Sequence, residues 1–134
     1  MPIKFEQKPG TILLCDYGLG GFKPPEMVKR RPVVVVSMRK RSSTGLITVV
    51  PLSTTAPIPV EAHHSRILLG KPLPGFAAQE CWVKADMVAT VAFARLEMFR
   101  SARGPDGKRK YLTPRVSDEQ LEQIKVCLRA VFGI

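Results

Sequence analysis

Three polar residues at the borders of apolar segments are candidates for chemistry: Arg31, Thr54 and Asp86. Arg31 stands directly before a proline and four valines, and a residue before proline is held extended, so we expect its guanidinium to be fixed at the rim of a sheet. Thr54 follows an apolar run, and Asp86 follows the short segment 82–85 at a strand end or bend. A guanidinium can stabilise a negative charge, a hydroxyl can donate a hydrogen bond, and a carboxylate can accept a proton.

Each of these residues also has a purely structural interpretation. Arg31 could form an ion pair with Glu26 or Asp86 at the surface. Thr54 could hydrogen bond to its own backbone in a turn, and Asp86 could cap a bend. The chemical interpretation therefore requires that the fold bring three distant segments to one point.

The chain lacks the usual sequence signatures of metal and nucleotide sites. It has no Cys-X-X-Cys pair, no His-Glu-X-X-His motif, no Walker-type glycine loop and no acidic cluster that could hold magnesium. Its histidines, His63 and His64, are adjacent in a loop, where we expect them to be solvent-exposed or lightly packed rather than metal ligands. We therefore predict no metal and no cofactor. Cys15, Cys81 and Cys127 are odd in number and far apart, as is typical of buried reduced thiols.

An excess of basic residues is the most unusual feature of the composition. The 134 residues include 21 Lys and Arg against 11 Asp and Glu, which gives a formal net charge of +10. Such a charge attracts polyanions, so a nucleic acid, an anionic membrane or an acidic protein is the expected partner. The apolar runs are far shorter than the ~20 residues of a membrane span, and the N-terminus has no apolar signal core, so we expect a cytoplasmic protein without a membrane partner.

Turn residues divide most of the chain into short β-type segments. The second segment contains four consecutive valines, which is typical of a strand covered on both faces. The polar stretch 38–45 predicts an antiparallel hairpin between the second and third strands. The long loops 17–30 and 52–64 are candidates for function. The sequence predicts strands at 11–16, 32–37, 46–51, 65–69, 81–84 and 86–91.

The end of the chain has the helical period that the other segments lack. Ser117 and Gln120 predict a capping box at the helix start, and Gly133 predicts its end. One apolar face recurs at helical spacing through Leu121, Ile124, Leu128 and Val131. We predict a single domain, 1–134, that is mainly β: a small, partly open barrel of five to seven strands with a C-terminal helix, because a curved sheet hides its edges.

Four sequence blocks resemble the MazF/PemK family of toxins in their order and spacing. The resemblance extends from Pro9 to the terminal helix. Two positions depart from it, because some family members have a histidine where this chain has Pro25 and an arginine where it has Lys84. The blocks are Pro9-Gly10-Thr11-Ile12-Leu13, Glu26 with Arg31-Pro32-Val33-Val34-Val35-Val36-Ser37, Val50-Pro51-Leu52-Ser53-Thr54-Thr55, and Lys84-Ala85-Asp86.

The resemblance implies a homodimeric, SH3-like barrel of the CcdB/PemK type and a sequence-specific, metal-independent endoribonuclease toxin that cleaves single-stranded mRNA. It assigns catalysis to Arg31, Thr54 and Asp86. Ribose supplies its own nucleophile, so cleavage requires only that the 2′-OH lose a proton, the phosphorane be stabilised and the 5′-oxygen be protonated. The expected ends are a 2′,3′-cyclic phosphate and a 5′-OH. Arg31 would stabilise the phosphorane, Thr54 would hold the phosphate, and Asp86 would be the base or orient the 2′-OH.

Basic and polar residues near these blocks are predicted to guide RNA to the site. Because uncontrolled cleavage would harm the cell, we also expect a cognate antitoxin whose acidic, partly disordered tail covers the same groove. The predicted RNA-binding residues are Lys29, Arg30, Arg39, Ser53, Thr55, Lys84, Lys108 and Arg109.

Two other functions fit parts of the sequence. The ending Phe132-Gly133-Ile134 resembles the Trp-Gly-Ile terminus of CcdB-type toxins, which poison DNA gyrase. A non-catalytic nucleic-acid-binding barrel would explain the charge alone. The Arg31-Pro32 and Ser53-Thr54-Thr55 blocks favour the ribonuclease.

Overall fold

A computed structural model describes residues 2–38, 44–76 and 79–134 of the chain. The described residues form nine strands, two short 3₁₀ helices and one α-helix. The 3₁₀ helices are Ala85–Met87 and Phe93–Arg95, and the α-helix, α1, is Asp118–Phe132. The strands are β1 (Ile12–Asp16), β2 (Arg30–Val35), β3 (Leu46–Ser53), β4 (His64–Leu68), β5 (Glu80–Lys84), β6 (Ala89–Ala92), β7 (Leu96–Glu97), β8 (Phe99–Arg100) and β9 (Tyr111–Leu112).

Seven of these strands form one antiparallel sheet. Its order is β4-β5-β3-β2-β1-β7, and β6 pairs with β3 beside this path. The predicted hairpin between the second and third strands is confirmed, with Val33 opposite Pro51 and Val35 opposite Val49. The mainly β prediction with a C-terminal helix is confirmed as well.

The sheet is not closed into a barrel. Within the described residues, β4 and β7 are the two ends of the strand order and no pairing joins them. The neighbour of β3 changes along its length, from β6 at Leu46–Val49 to β5 at Leu52 and Ser53. Pro51, which has no N–H to donate, lies at this change. The expectation of an SH3-like barrel is therefore met in strand content and not in closure.

The valine strand separates two apolar clusters. Val34 packs with Ile12, Leu52 and residues of α1 on one face of the sheet. Val33 and Val35 pack with the cluster that contains Leu96 on the other face. The three valines are completely buried, which confirms the prediction of a strand covered on both faces, and this burial fixes the strand whose second residue is Arg31.

The terminal helix begins and ends where its sequence predicts. Ser117 Oγ accepts a hydrogen bond from the Gln120 N–H at 3.1 Å, and the Gln120 side chain accepts one from the Ser117 N–H at 2.9 Å. Gly133 ends the helix in the left-handed conformation, with φ of 67°. Ile124 and Cys127 are buried against the sheet, so α1 closes the first apolar cluster.

One prediction about local structure was wrong. Residues 86–91 do not form one strand, because the 3₁₀ helix Ala85–Met87 precedes the shorter strand β6. The short strands β8 and β9 pair on either side of the loop 101–110. Within the described residues, no helix combines the length and the apolar character needed to cross a membrane.

Candidate functional site

Arg31 and Thr54 line one small pocket at the edge of the first apolar cluster. Val33 pairs with Pro51. Continuing this antiparallel register by two residues places Arg31 beside Ser53, the last residue of β3. Thr54 follows directly after that strand. The pocket has a volume of about 30 Å³ and is completed by Pro32, Leu52, Leu73, Phe76 and Cys81. The fold therefore joins two of the three predicted catalytic residues.

One nitrogen of the Arg31 guanidinium, Nε, has no hydrogen-bond partner among the described residues. This nitrogen is buried, and its N–H donates no hydrogen bond to a described residue. The alternative that Arg31 pairs with Glu26 or Asp86 is not observed, because no ion pair of the described residues includes it. Leaving a buried donor unsatisfied costs about 1–3 kcal/mol, so this N–H is available to an acceptor such as a ligand oxygen or a water.

A tight turn at the end of β3 exposes Thr54. The hydroxyl of Ser53 accepts a hydrogen bond from the Thr55 N–H at 3.1 Å, and Ser53 is buried while Thr54 and Thr55 are exposed. Ser53, a predicted RNA-binding residue, therefore stabilises the turn through this hydrogen bond and is itself buried. Thr54 and Thr55 remain available to a ligand on the surface.

The thiol in the pocket is not ionised at neutral pH. Burial, and to a smaller extent the nearby Glu80 carboxylate, raises the pKa of Cys81 above its ordinary value. The polar chemistry of the pocket therefore comes from the Arg31 guanidinium and the Thr54 hydroxyl.

Asp86, the third predicted catalytic residue, lies elsewhere. Continuing the strand registers aligns Arg31, Ser53 and Trp82 in one row across the sheet. Asp86 follows Trp82 by four residues, the last two of which lie in a 3₁₀ helix. These four residues span roughly 10 Å of chain, which separates Asp86 from the row of Arg31. It borders a groove of about 410 Å³ between the 3₁₀ helix and the β1–β2 loop. That groove is also lined by Tyr17, Phe22, Pro25, Glu26, Met27, Met87, Val88 and Ala89.

The β1–β2 loop that forms the other wall of this groove is held by Arg95. The guanidinium of Arg95 donates hydrogen bonds to the carbonyl of Asp16 at 3.2 Å and to that of Gly20 at 2.6 Å. It also stacks over the Phe22 ring at 4.7 Å. Tyr17 is buried and contacts the edge of Phe22, so it belongs to the core rather than to a base-stacking surface.

Asp86 lies beside both histidines. Its Oδ2 is 3.5 Å from His63 Nε2, and the His63 and His64 rings are 4.1 Å apart. Burial, followed by the neighbouring His63, lowers the pKa of His64. The sequence shows the adjacent histidines, but it does not show that the pairing of His64 with Lys84 brings Asp86 to them. Both histidines are partly buried, in agreement with the expectation that they are exposed or lightly packed, but that expectation did not include the neighbouring Asp86.

The predicted basic residues lie in several places. Arg30 forms an ion pair with Glu97 at 2.9 Å while its side chain remains 55% exposed. Lys29 is exposed, and Lys84 is half-buried in β5. Arg39 lies outside the described residues. A separate open cleft of about 390 Å³ is lined by Lys108 and Arg109 together with Arg100, Arg103, Gly107 and Tyr111.

The chain matches a protein-family model over most of its length. Residues 8–132 match the model described as PemK-like, MazF-like toxin of type II toxin-antitoxin system. The chain is 33% identical over 122 residues to the uncharacterised protein YifN of Escherichia coli (strain K12), an alignment that covers 78% of this chain and 80% of that protein. It is 34% identical over 100 residues to an uncharacterised protein of Haemophilus influenzae, with 66% and 68% covered.

Solved structures with the same fold come from two bacterial groups. An endoribonuclease in complex with its cognate antitoxin from a mycobacterial species superposes with a TM-score of 0.62 at 21% identity, covering 96% of this chain and 97% of that one. MazF from Deinococcus radiodurans gives a TM-score of 0.63 at 16% identity, with 98% and 100% covered. At these identities the likeness concerns the fold.

Proposed function

The chain belongs to the family of PemK-like, MazF-like toxins of type II toxin-antitoxin systems, and from this premise we propose that it is an endoribonuclease that cleaves single-stranded RNA at the Arg31–Thr54 pocket. The titles of structural neighbours, an endoribonuclease with its antitoxin and a MazF protein, support this activity. The net charge of +10 supports a polyanionic substrate.

The unpartnered Nε of Arg31 carries the proposal. A buried guanidinium donor beside an exposed hydroxyl matches the needs of a phosphodiester, whose oxygens accept hydrogen bonds from both. In the reaction, the ribose 2′-oxygen attacks phosphorus and the bond to the 5′-oxygen breaks. The products are a 2′,3′-cyclic phosphate and a 5′-OH. Arg31 stabilises the charge that grows on the phosphorane, by ~3 kcal/mol if it equals one oxyanion-hole donor.

Thr54 holds the phosphate in this mechanism. Its hydroxyl donates a hydrogen bond to a non-bridging phosphate oxygen, and the turn formed by Ser53 and Thr55 keeps it at the mouth of the pocket. Positioning of this kind contributes to the rate because the nucleophile and phosphorus start near their reacting geometry.

Asp86 is the proposed base, or the residue that orients the 2′-OH. Since roughly 10 Å of chain separates it from the row of Arg31, this role requires the substrate to bend toward the groove that Asp86 lines. A contact between Asp86 and a neighbouring nucleotide needs no such bend. Measuring cleavage by Asp86→Asn therefore tests this part of the proposal separately from Arg31.

The RNA path and the partners follow from charge. Lys29, Arg30, Thr55 and Lys84 would contact the strand near the pocket, and the cleft with Lys108 and Arg109 would hold a more distant phosphate. We propose a homodimer in the cytoplasm whose acidic antitoxin competes with RNA for these cations. The gyrase-poisoning and non-catalytic alternatives are not favoured, because the matched family is the PemK-like, MazF-like one.

A cleavage assay in EDTA tests the function. The protein is incubated with a long RNA, and mass spectrometry of the fragments identifies their ends. We expect 2′,3′-cyclic phosphate ends, and no cleavage of a matched strand in which the nucleotide before the scissile bond is 2′-deoxy. Intact RNA, or equal cleavage of the 2′-deoxy strand, would contradict the proposal.

Two variants separate catalysis from binding. Arg31→Ala should stop cleavage while affinity for the 2′-deoxy strand falls only modestly. Arg129→Ala removes the same charge from an exposed position on α1 and should cleave at the normal rate. Equal losses of affinity and cleavage in Arg31→Ala would reduce Arg31 to a binding residue.

A further inference from the structure

The cluster of His63, His64 and Asp86 has the composition of a transition-metal site. One ligand atom from each residue lies within 4.8 Å of the other two. Two imidazoles and a carboxylate are a ligand set that suits zinc and related divalent ions. We propose that these three residues bind a divalent transition metal ion such as Zn²⁺, at a site that the RNA-cleavage mechanism does not use as a cofactor site.

The spacing of His63 and Asp86 fits a shared metal better than a hydrogen bond. His63 Nε2 and Asp86 Oδ2 are 3.5 Å apart, which is longer than the usual hydrogen bond between such groups. Zinc bonds of 2.0–2.1 Å in a tetrahedral arrangement separate neighbouring ligand atoms by about 3.4 Å. The two atoms therefore already stand at the distance of one edge of a zinc tetrahedron.

Glu61 adds a second carboxylate beside His63. Its Oε2 lies 3.7 Å from His63 Nδ1, on the side of the ring away from Asp86. At this distance Glu61 forms no hydrogen bond with His63, but its negative charge favours a cation near the ring.

His64 supplies the third ligand, but its binding to a metal requires a change in its present contacts. Its Nδ1 carries a lone pair that accepts a hydrogen bond from the Glu61 N–H at 3.0 Å. A metal that binds Nδ1 must displace this hydrogen bond; otherwise the ring must turn so that Nε2 binds the metal. Lys84 also repels a cation near His64, whereas Asp86 and Glu61 attract one. With three protein ligands and this competition, we expect a dissociation constant in the micromolar range.

Titration of the full chain, produced without a polyhistidine tag, tests the site in the absence of RNA. Isothermal titration with ZnCl₂ should give one site per chain. Titration with Co²⁺ should give the visible bands of four-coordinate cobalt without a sulfur-to-cobalt charge-transfer band, because the ligands are nitrogen and oxygen. A charge-transfer band would show that a cysteine binds the ion and would overturn the proposal.

Variants give the decisive comparison. His63→Ala and Asp86→Asn should each weaken Zn²⁺ binding at least tenfold, whereas Glu80→Gln, which removes an exposed carboxylate elsewhere, should leave it unchanged. Asp86 is about half exposed, so its variant provides a test even where His63→Ala disturbs folding. Unchanged affinity in Asp86→Asn, or no binding at a tenfold excess of metal, would refute the site. Neither result bears on RNA cleavage, which is measured in EDTA.

Discussion

Replacing Arg31 by methionine should have opposite effects on activity and on stability. Methionine keeps an unbranched stem of similar length against Leu73 and Phe76, and it removes the guanidinium whose buried Nε has no partner among the described residues. The folded protein without RNA bears the desolvation cost of that donor. The substitution removes this cost together with the group that binds the phosphate.

The expected sizes follow from these two roles. Removing an unsatisfied buried donor recovers up to the 1–3 kcal/mol that it costs, and we expect a gain of about 1 kcal/mol in the free energy of unfolding. For a domain of this size, 1 kcal/mol raises the melting temperature by roughly 3–5 °C. Loss of one preorganised donor to the transition state lowers the cleavage rate by about 10²–10³.

Two measurements on the same preparation check this prediction. Thermal unfolding is followed by circular dichroism, and single-turnover cleavage is followed with protein in excess over a fluorescent RNA in EDTA. Arg129→Met serves as the matched control, because it makes the same replacement at an exposed position on α1 and should change stability by at most about 0.5 kcal/mol. A lower melting temperature for Arg31→Met would refute the reasoning, since it would mean that Arg31 holds the fold together. Cleavage at the normal rate would refute its role at the phosphate.

Three further predictions concern the pocket, the thiols and the helix. Thr54→Val should lower the single-turnover rate about tenfold, the equivalent of one hydrogen bond to a charged group, with an unchanged melting temperature because Thr54 is exposed; a normal rate would exclude Thr54 from phosphate binding. Burial raises the pKa of Cys15 to about 11, so at pH 8 about one thiol in 1,000 is ionised; we expect it to react with a thiol reagent only after unfolding or near that pKa, and rapid labelling of the folded protein at pH 8 would contradict this. Ser117→Ala should lower the free energy of unfolding by ~1 kcal/mol, because the Ser117 hydroxyl no longer accepts the hydrogen bond from the Gln120 N–H. A denaturant titration measures this change, and an unchanged midpoint would show that the cap does not stabilise the protein.

Features set by neighbouring residues were predictable from the sequence. The capping box of Ser117 and Gln120 lies within one helical turn, and the burial of Val33 to Val35 on both faces follows from an unbroken apolar strand. The extended backbone of Arg31 near the start of β2 likewise follows from the proline after it.

Features set by strand pairing were not predictable in the same way. The closure of a barrel depends on whether β4 and β7 meet, and no local pattern encodes that pairing. The cluster of His63 and Asp86 depends on the register of β4 against β5, in which His64 stands opposite Lys84. A shift of the register would carry Asp86 away from the histidines. Adjacent histidines in a loop therefore do not indicate a metal site unless the register of the neighbouring strand is known.

The distance between the pocket and Asp86 distinguishes two roles that the sequence could not separate. A base must reach the 2′-OH at the scissile bond, so Asp86→Asn would then slow cleavage at every site by the same factor. A carboxylate beside the groove of Tyr17 and Phe22 can instead accept hydrogen bonds from the amino group of a neighbouring base, as acidic side chains do with cytosine. In that case the variant would change which sites are cut while the best site keeps its rate. Mapping fragment 5′ ends across one long RNA for both proteins decides between them. The proposed role of Asp86 at the 2′-OH predicts the uniform loss of rate, which requires the RNA to bend across the roughly 10 Å of chain that separates Asp86 from the row of Arg31. A change in site preference with a normal rate at the best site would refute that role and show that Asp86 contacts a neighbouring base.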